Sequence, residues 1–163
     1  MRAKKLEELL REGGLKEAVV LCHHNADPDA VCSAIALSDL LRALRPGLEI
    51  TCYSPEGVSK LSKRLLEYFD FSFSGGVDLG RADAIFMVDT NNTEQLEDLR
   101  GPVEERAREV PLIVIDHHTR HPSTERLAYI YIVDDEASST CELICQLYEE
   151  LEVPLTRRVA EAP

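Results

Sequence analysis

Short, unbroken apolar runs rich in β-branched residues punctuate the sequence: AVVLC at 18–22, AIFMV at 84–88 and PLIVI at 111–115. A run of this kind has no polar side to turn to water, so it suits a strand covered on both faces, as in a parallel sheet. LEITCY at 48–53 and AYIYIVD at 128–134 add two further strands. Between the runs lie stretches with helical spacing of apolar residues. They cover 3–12, ended by Gly13 and Gly14; about 29–44, closed by Pro46 and Gly47; and 58–69. An acidic segment around 93–109 and a last helix from near Ala137 to Glu150 complete the set. Strands alternating with helices predict an α/β fold. The expected form is a single three-layer domain over residues 1–163, with a central, mostly parallel five-stranded sheet and helices on both faces. The expected strand order is 2-1-3-4-5 or a close variant.

A chain of 163 residues suffices for such a core, burying roughly 70% of the surface its unfolded form exposes. Hydrophobic residues at 44% and charged residues at 29% match an ordinary globular protein. No apolar stretch approaches the ~20 residues that a membrane span needs. The opening MRAKKLEELLREGG lacks the apolar core and cleavage site of a secretion signal, so a cytoplasmic location without a membrane partner is expected. The five cysteines are odd in number and lack CxxC spacing, which suggests buried thiols over a disulfide framework. Cys141 and Cys145 would share one face of a helix, where packing is the simpler role. A formal charge of -12 argues against a broad basic groove for duplex DNA. It does not exclude a phosphate substrate, because divalent cations gathered by acids reverse the local sign.

The three apolar runs end in potential metal ligands. AVVLC opens into HHNADPDA, with His23, Asp27 and Asp29; AIFMV is followed by Asp89; PLIVI runs into Asp116, His117 and His118. Open parallel sheets bind ligands outside the carboxyl ends of their strands. One aspartate at a strand end usually caps a turn or helix; three strand ends with the same chemistry point to a functional centre. Carboxylates with imidazoles and no necessary thiolate suit Mn²⁺ or Mg²⁺, with Fe²⁺, Co²⁺ and Zn²⁺ also open. Two ions about 3.5–4 Å apart, bridged by a shared carboxylate, would clamp a phosphate. Asp89 is the natural bridge, since its strand lies between the other two clusters in sequence. Asp27 and Asp29 could reach different ions from one turn, which Asn25 would brace with its amide. His24 should point away from His23 if strand alternation persists, as a half-buried ring bonded to backbone. Arg120 and His121 either touch substrate phosphate or belong to a solvated loop. The hydroxyls of Ser138, Ser139 and Thr140 suit capping of the last helix, whose amides could also approach an anion, with Ser139 the candidate phosphate contact.

In order along the chain, HHNADPDA, VDT at 88–90, DHH at 116–118 and EASST at 136–140 resemble the motifs of the DHH phosphoesterase superfamily, over about residues 19–145. That superfamily includes oligoribonucleases, phosphatases of 3'-phosphoadenosine 5'-phosphate, cyclic dinucleotide phosphodiesterases, single-strand exonucleases and family II inorganic pyrophosphatases. The resemblance implies that His23, Asp27, Asp29, Asp89 and His117 hold metal, with Asp89 bridging two Mn²⁺ ions. It implies that His118 contacts phosphate, while Asp116 orients His117 or fixes the turn; these two form the expected catalytic pair. The implied activity is hydrolysis of phosphate esters of short oligonucleotides or nucleotides by a metal-activated hydroxide attacking phosphorus in line. An inorganic pyrophosphatase, or a non-catalytic nucleotide-binding or regulatory domain, is the alternative, and a homodimer is compatible with either. Active relatives add one more aspartate in a glycine-rich phrase, then a smaller C-terminal domain; the expectation is that this chain ends before both. Asp134 and Asp135 are candidate substitutes for that aspartate.

Overall fold

The computed structural model describes residues 1–161. Its five strands are β1 (Glu17–Leu21), β2 (Glu49–Tyr53), β3 (Ala84–Val88), β4 (Leu112–Asp116) and β5 (Ile130–Val133). They form one sheet in the order β2-β1-β3-β4-β5, and every neighbouring pair is parallel. The order reverses between β1 and β3, so these strands flank the point at which such sheets open a crevice at their carboxyl ends. The helices are α1 (Arg2–Glu12), α2 (Pro28–Leu44), α3 (Lys60–Phe69), α4 (Arg100–Arg106), α5 (Pro122–Leu127), α6 (Thr140–Glu150) and α7 (Arg157–Glu161). None is long and apolar enough to cross a membrane among the described residues.

Strand alternation divides the core in two. Val20, Phe86, Val88, Ile113, Ile115 and Ile132 pack with buried residues of α1, α2 and α6. Val19, Leu21, Ile85, Met87, Val114 and Val133 face the opposite side, toward Leu79, Leu96 and Val103. All five residues of β3 and of β4 are buried, which explains why these runs carry no polar alternation. On the first face α2 is buried almost all round, from Ala30 to Leu44, and its small residues admit close neighbours. Tyr148 of α6 donates its hydroxyl to the Ala36 carbonyl at 2.8 Å, fastening α6 across α2.

The acidic segment after β3 is not one helix. Residues Thr93–Leu99 form a 3₁₀ stretch broken at Glu97, whose φ is 53°, and α4 restarts at Arg100. Pro102 explains the restart, because proline is tolerated in a helix's first turn but would break a continuous helix. The short α5 was not expected from the sequence; it opens on Pro122 at its first position. The last long helix begins at Thr140, three residues later than its apolar pattern suggested, because Ser139 caps it. The Ser139 hydroxyl accepts from Glu142 N at 3.1 Å, and Glu142 reaches back to Ser138 N at 2.8 Å.

Asp83 secures the register of the two central strands at their amino ends. Its Oδ2 accepts the amides of Lys16 at 2.9 Å and Glu17 at 3.0 Å, and these bonds hold its carboxyl below the usual carboxylate range. A carboxyl with a lowered folded pKa stabilises the fold above its unfolded pKa, and that stability is lost as pH falls through the folded value. We expect Asp83→Ala to cost about 1 kcal/mol at pH 7, allowing for solvent screening at this partly exposed site. In urea denaturation the gap between variant and parent should close as pH falls below the ordinary carboxylate value of about 3.9.

Candidate metal centre

Beyond β1 the chain turns through HHNADPDA, and this turn is knitted to the segment after β2. Ser54 donates its hydroxyl to the His23 carbonyl at 2.6 Å. Asn25 sits at φ 50°, a left-handed conformation that asparagine tolerates, and its main-chain N–H donates to the Pro55 carbonyl at 3.1 Å. Ala26 donates to Gly57 O, and its own carbonyl accepts from Ser59 N and the Ser62 hydroxyl, both at 2.9 Å. The turn thus delivers Asp27 to the start of α2, where Oδ1 caps Ala30 N at 3.0 Å with Pro28 in the first turn. Asp29 reaches across to α6. Its two oxygens accept Thr140 N at 3.0 Å and Cys141 N at 3.1 Å, so a carboxylate occupies the positive end of that helix.

Asp89 follows β3 directly and lies between these groups. It is 1% exposed and has φ 59°, an unfavourable backbone for a non-glycine residue, held by donation of its N–H to Ile115 O at 3.0 Å. Oδ2 lies 3.4 Å from His23 Nε2, which is 3.8 Å from Asp27 Oδ2. Oδ1 lies 3.5 Å from His117 Nε2, which is 3.5 Å from Asp29 Oδ2. Thr140 fixes the carboxylate's rotation by donating its hydroxyl to Oδ1 at 2.8 Å. The imidazole–carboxylate separations exceed good hydrogen bonds, for which N–H···O runs to about 3.2 Å. Ligands each about 2.1 Å from one divalent ion lie roughly 3–4 Å apart, which is the spacing found on both sides of Asp89. The donor set therefore fits a pair of cations sharing Asp89.

The electrostatics agree. Asp27 and Asp89 hold the His23 imidazole well above its usual value, at about 10, against the opposing effect of burial. His23 in turn pulls the Asp27 carboxyl down. Burial pushes the Asp89 carboxyl up, His23 opposes this, and the negative charge of Asp29 adds to it. Excess negative charge around a buried carboxylate is what bound cations offset.

His118 stands on a separate support. Its Nδ1 is 2.7 Å from Asp116 Oδ1, and Asp116 is fully buried. Burial pulls the His118 pKa down, but the bond to Asp116 and the charges of Asp116 and Asp89 outweigh it, leaving the pKa raised. Asp116 Oδ2 accepts from the side-chain amide of Asn91, which also donates to Thr119 O at 3.1 Å. Tyr131 closes the chain of contacts, donating to Asn91 Oδ1 at 2.9 Å and accepting from His121 N at 3.0 Å. Asp116 thus bonds to His118 and not to His117, the first of the two roles expected of it, while its link through Asn91 to Thr119 O spans the turn, the second. Asn91, Tyr131 and the bond from Thr140 to Asp89 escape sequence reasoning because the partners lie 25 to 51 residues away. Only its closeness to VDT could have marked Asn91.

The structure gathers His23, Asp27, Asp29, Asp89, His117 and His118 and leaves other candidates outside. His24 points away as expected but is exposed, with Nδ1 3.4 Å from Glu97 instead of half-buried against backbone. Asn25 braces the turn through its main chain, without a side-chain hydrogen bond among the described residues. Arg120 is engaged by Glu125 and by the Val133 carbonyl at 3.3 Å, away from the cluster. The His121 ring meets Ser123 at 2.8 Å. Ser139 is spent on its capping bond. Asp134 accepts from Glu136 N at 3.0 Å, and neither it nor Asp135 belongs to the candidate ligand groups among the described residues. The Cys141 thiol packs against the Ser33 hydroxyl at 3.3 Å, and burial pushes it up.

Comparison with known proteins gives a consistent picture. The family model described as DHH family, N-terminal domain, matches residues 17–162. An uncharacterized protein of Methanocaldococcus jannaschii is 34% identical over 155 residues, covering 94% of this chain and 45% of that protein. The bifunctional oligoribonuclease and PAP phosphatase NrnA of Bacillus subtilis is 30% identical over 145 residues, covering 88% and 42%. A probable manganese-dependent inorganic pyrophosphatase of Bacillus cereus is 28% identical over 152 residues, covering 90% and 45%. Among solved structures, an exopolyphosphatase-related protein from Bacteroides fragilis has the same fold, with a TM-score of 0.76 at 20% identity over 92% of this chain and 43% of that one. The chain spans less than half the length of each of these relatives.

The support beneath His118 is open to direct test. Asn91→Ala removes the donor to a fully buried carboxylate and the acceptor for Tyr131. We expect a loss of about 2 kcal/mol in urea denaturation. Tyr131→Phe, which leaves the Asn91–Asp116 bond in place, should cost about 1 kcal/mol.

Proposed function

The chain belongs to the DHH family, and from that premise we propose that it is a metal-dependent phosphoesterase domain hydrolysing phosphate esters of short oligonucleotides or nucleotides. The observation that carries this reading is Asp89: a buried carboxylate in a left-handed backbone, presenting one oxygen to His23 and the other to His117. An oligoribonuclease, a PAP phosphatase and a pyrophosphatase, the activities named for relatives, all cleave a bond to phosphorus, and one of those names specifies manganese. In this reading His23, Asp27 and Asp89 hold one Mn²⁺, and Asp89, Asp29 and His117 hold the second; Mg²⁺, Co²⁺, Fe²⁺ and Zn²⁺ are the other candidates. Bound there, the ions would supply positive charge to a phosphate and lower the pKa of a water.

The protein's own groups do the positioning. Thr140 locks Asp89, so both oxygens keep their aim. Asp29 serves twice, anchored by the amides of α6 while its Oδ2 faces His117. Asp116 takes His118 Nδ1–H, which leaves Nε2 to meet a phosphate oxygen. The part-exposed edge of His118 lets a substrate approach from solvent.

The test uses RNA of two to five nucleotides, 3'-phosphoadenosine 5'-phosphate and pyrophosphate as substrates, with and without MnCl₂. Asp89→Asn is the informative variant, because asparagine also tolerates positive φ and the backbone should hold. We expect Mn²⁺-stimulated nucleotide release to fall at least about 100-fold in that variant. Undiminished release would overturn the assignment. Phosphate release from pyrophosphate with no action on RNA would favour the pyrophosphatase reading.

A further inference from the structure

Helix α3 carries a feature that the proposed chemistry does not use. Its inner face is pinned beside the metal-ligand turn, since Ser59 N and the Ser62 hydroxyl both donate to the carbonyl of Ala26, the residue before Asp27. Its outer face carries Lys60, Lys63 and Arg64, all exposed. Arg81, Arg100 and Arg120 elsewhere are each paired with a carboxylate. The three cations of α3 make no ion pair or side-chain hydrogen bond among the described residues. Glu67 is the one acid among the outward residues of the helix, so the face keeps a positive balance in a chain whose formal charge is -12. Tyr68, at 71% exposure, and Leu61, at 58%, stand on the same side. Lys60, Arg64 and Tyr68 are spaced i, i+4, i+8 and form one row, with steps of about 6 Å along the axis. That step is comparable to the phosphate repeat of an extended single strand.

We propose that the outer face of α3 is a track for a single-stranded oligonucleotide whose reacting phosphate lies at the Asp89 cluster. The row starts beside Asp27 and leads away from it. Lys60 and Arg64, one step apart on the row, with Lys63 beside them, neutralise backbone phosphates, and the Tyr68 ring stacks on a base, a combination that binds single strands without reading sequence. Charge complementarity selects this occupant: the ligand must be anionic, extended and aromatic in part. Pyrophosphate is too short to touch both the cluster and the far end of the row. The inference rests on the phosphoesterase reading for the placement of the reacting phosphate, and it narrows the substrate class to oligonucleotides.

The experiment measures binding separately from turnover. In the Asp89→Asn chain, fluorescence anisotropy of a 5'-fluorescein-labelled oligoadenylate of five nucleotides is recorded across a salt series. Replacing Lys60, Lys63 and Arg64 together by alanine should weaken binding about 10-fold or more and reduce the salt slope of log affinity by about 2, the value for three phosphate contacts on a single strand. Tyr68→Ala should weaken binding roughly 5-fold or more with the slope unchanged. Equal affinity and equal slope in the triple variant would overturn the proposal. It would equally be overturned if that variant lost only self-association or adsorption to phosphatidylserine vesicles while keeping its oligoadenylate affinity. Because oligoadenylate binding is read by anisotropy and not by product release, a failure of the hydrolysis assay leaves this test independent.

Discussion

The fold is organised around one buried carboxylate. Asp89 closes the central strand, is 1% exposed and adopts a backbone angle that costs on the order of 1–3 kcal/mol for such a residue. A charge in that position survives only if several elements face it. They do: His23 arrives from the turn after β1, His117 from the turn after β4, and Thr140 from the first residue of α6. The segments that make the sheet a crevice-former also compensate its most costly residue. Parallel pairing brings all of these turns to one end, so the chemistry follows from the topology.

Asp29 extends the same constraint into the helical layer. A carboxylate that accepts two amides of α6 ties the turn after β1 to a helix more than a hundred residues later. Tyr148 makes a second fastening between the same helices, through Ala36. Packing and site geometry are therefore not separable on this face: α2 and α6 hold Asp29 in place, and Asp29 holds their ends together. The opposite layer, built of 3₁₀ stretches and the short α4 and α5, has a different task. It covers the face on which Asn91, from the loop after β3, and Tyr131 of β5 steady Asp116 and hence His118.

How much of this the sequence disclosed depended on the range of the interaction. The strands were legible because a run buried on both faces needs no partner to declare itself, and their alternation with helices implied a parallel sheet; the order was narrowed to 2-1-3-4-5 or a close variant, and the pairings decide it. The six residues gathered at the cluster were legible because each follows an apolar run. What stayed hidden was decided by tertiary contacts. Thr140 read as a helix cap, yet Ser139 takes that role and Thr140 turns inward to Asp89. Asp116 read as a neighbour of His117, yet the turn delivers it to His118. The segment from 93 to 109 had helical composition, and only the positive φ at Glu97 and the position of Pro102 divide it.

The sign of the charge illustrates the limit of whole-chain quantities. A formal charge of -12 describes the field far from the molecule, which falls off within about 10 Å at moderate salt. At contact distance the local arrangement governs. Near Asp89 the acids are concentrated beyond the chain average; on α3, whose start is fastened to the turn before Asp27, Lys60, Lys63 and Arg64 make no ion pair among the described residues. An anionic substrate meeting an acidic protein needs both features in sequence. On the reading proposed above, the reacting group would meet bound cations that offset the carboxylates, and the remainder of the substrate would meet the fixed cations of α3. The first feature is built at strand ends, where backbone geometry is stiff enough to space ligands. The second sits on an exposed helix face, where long flexible side chains can follow a flexible chain.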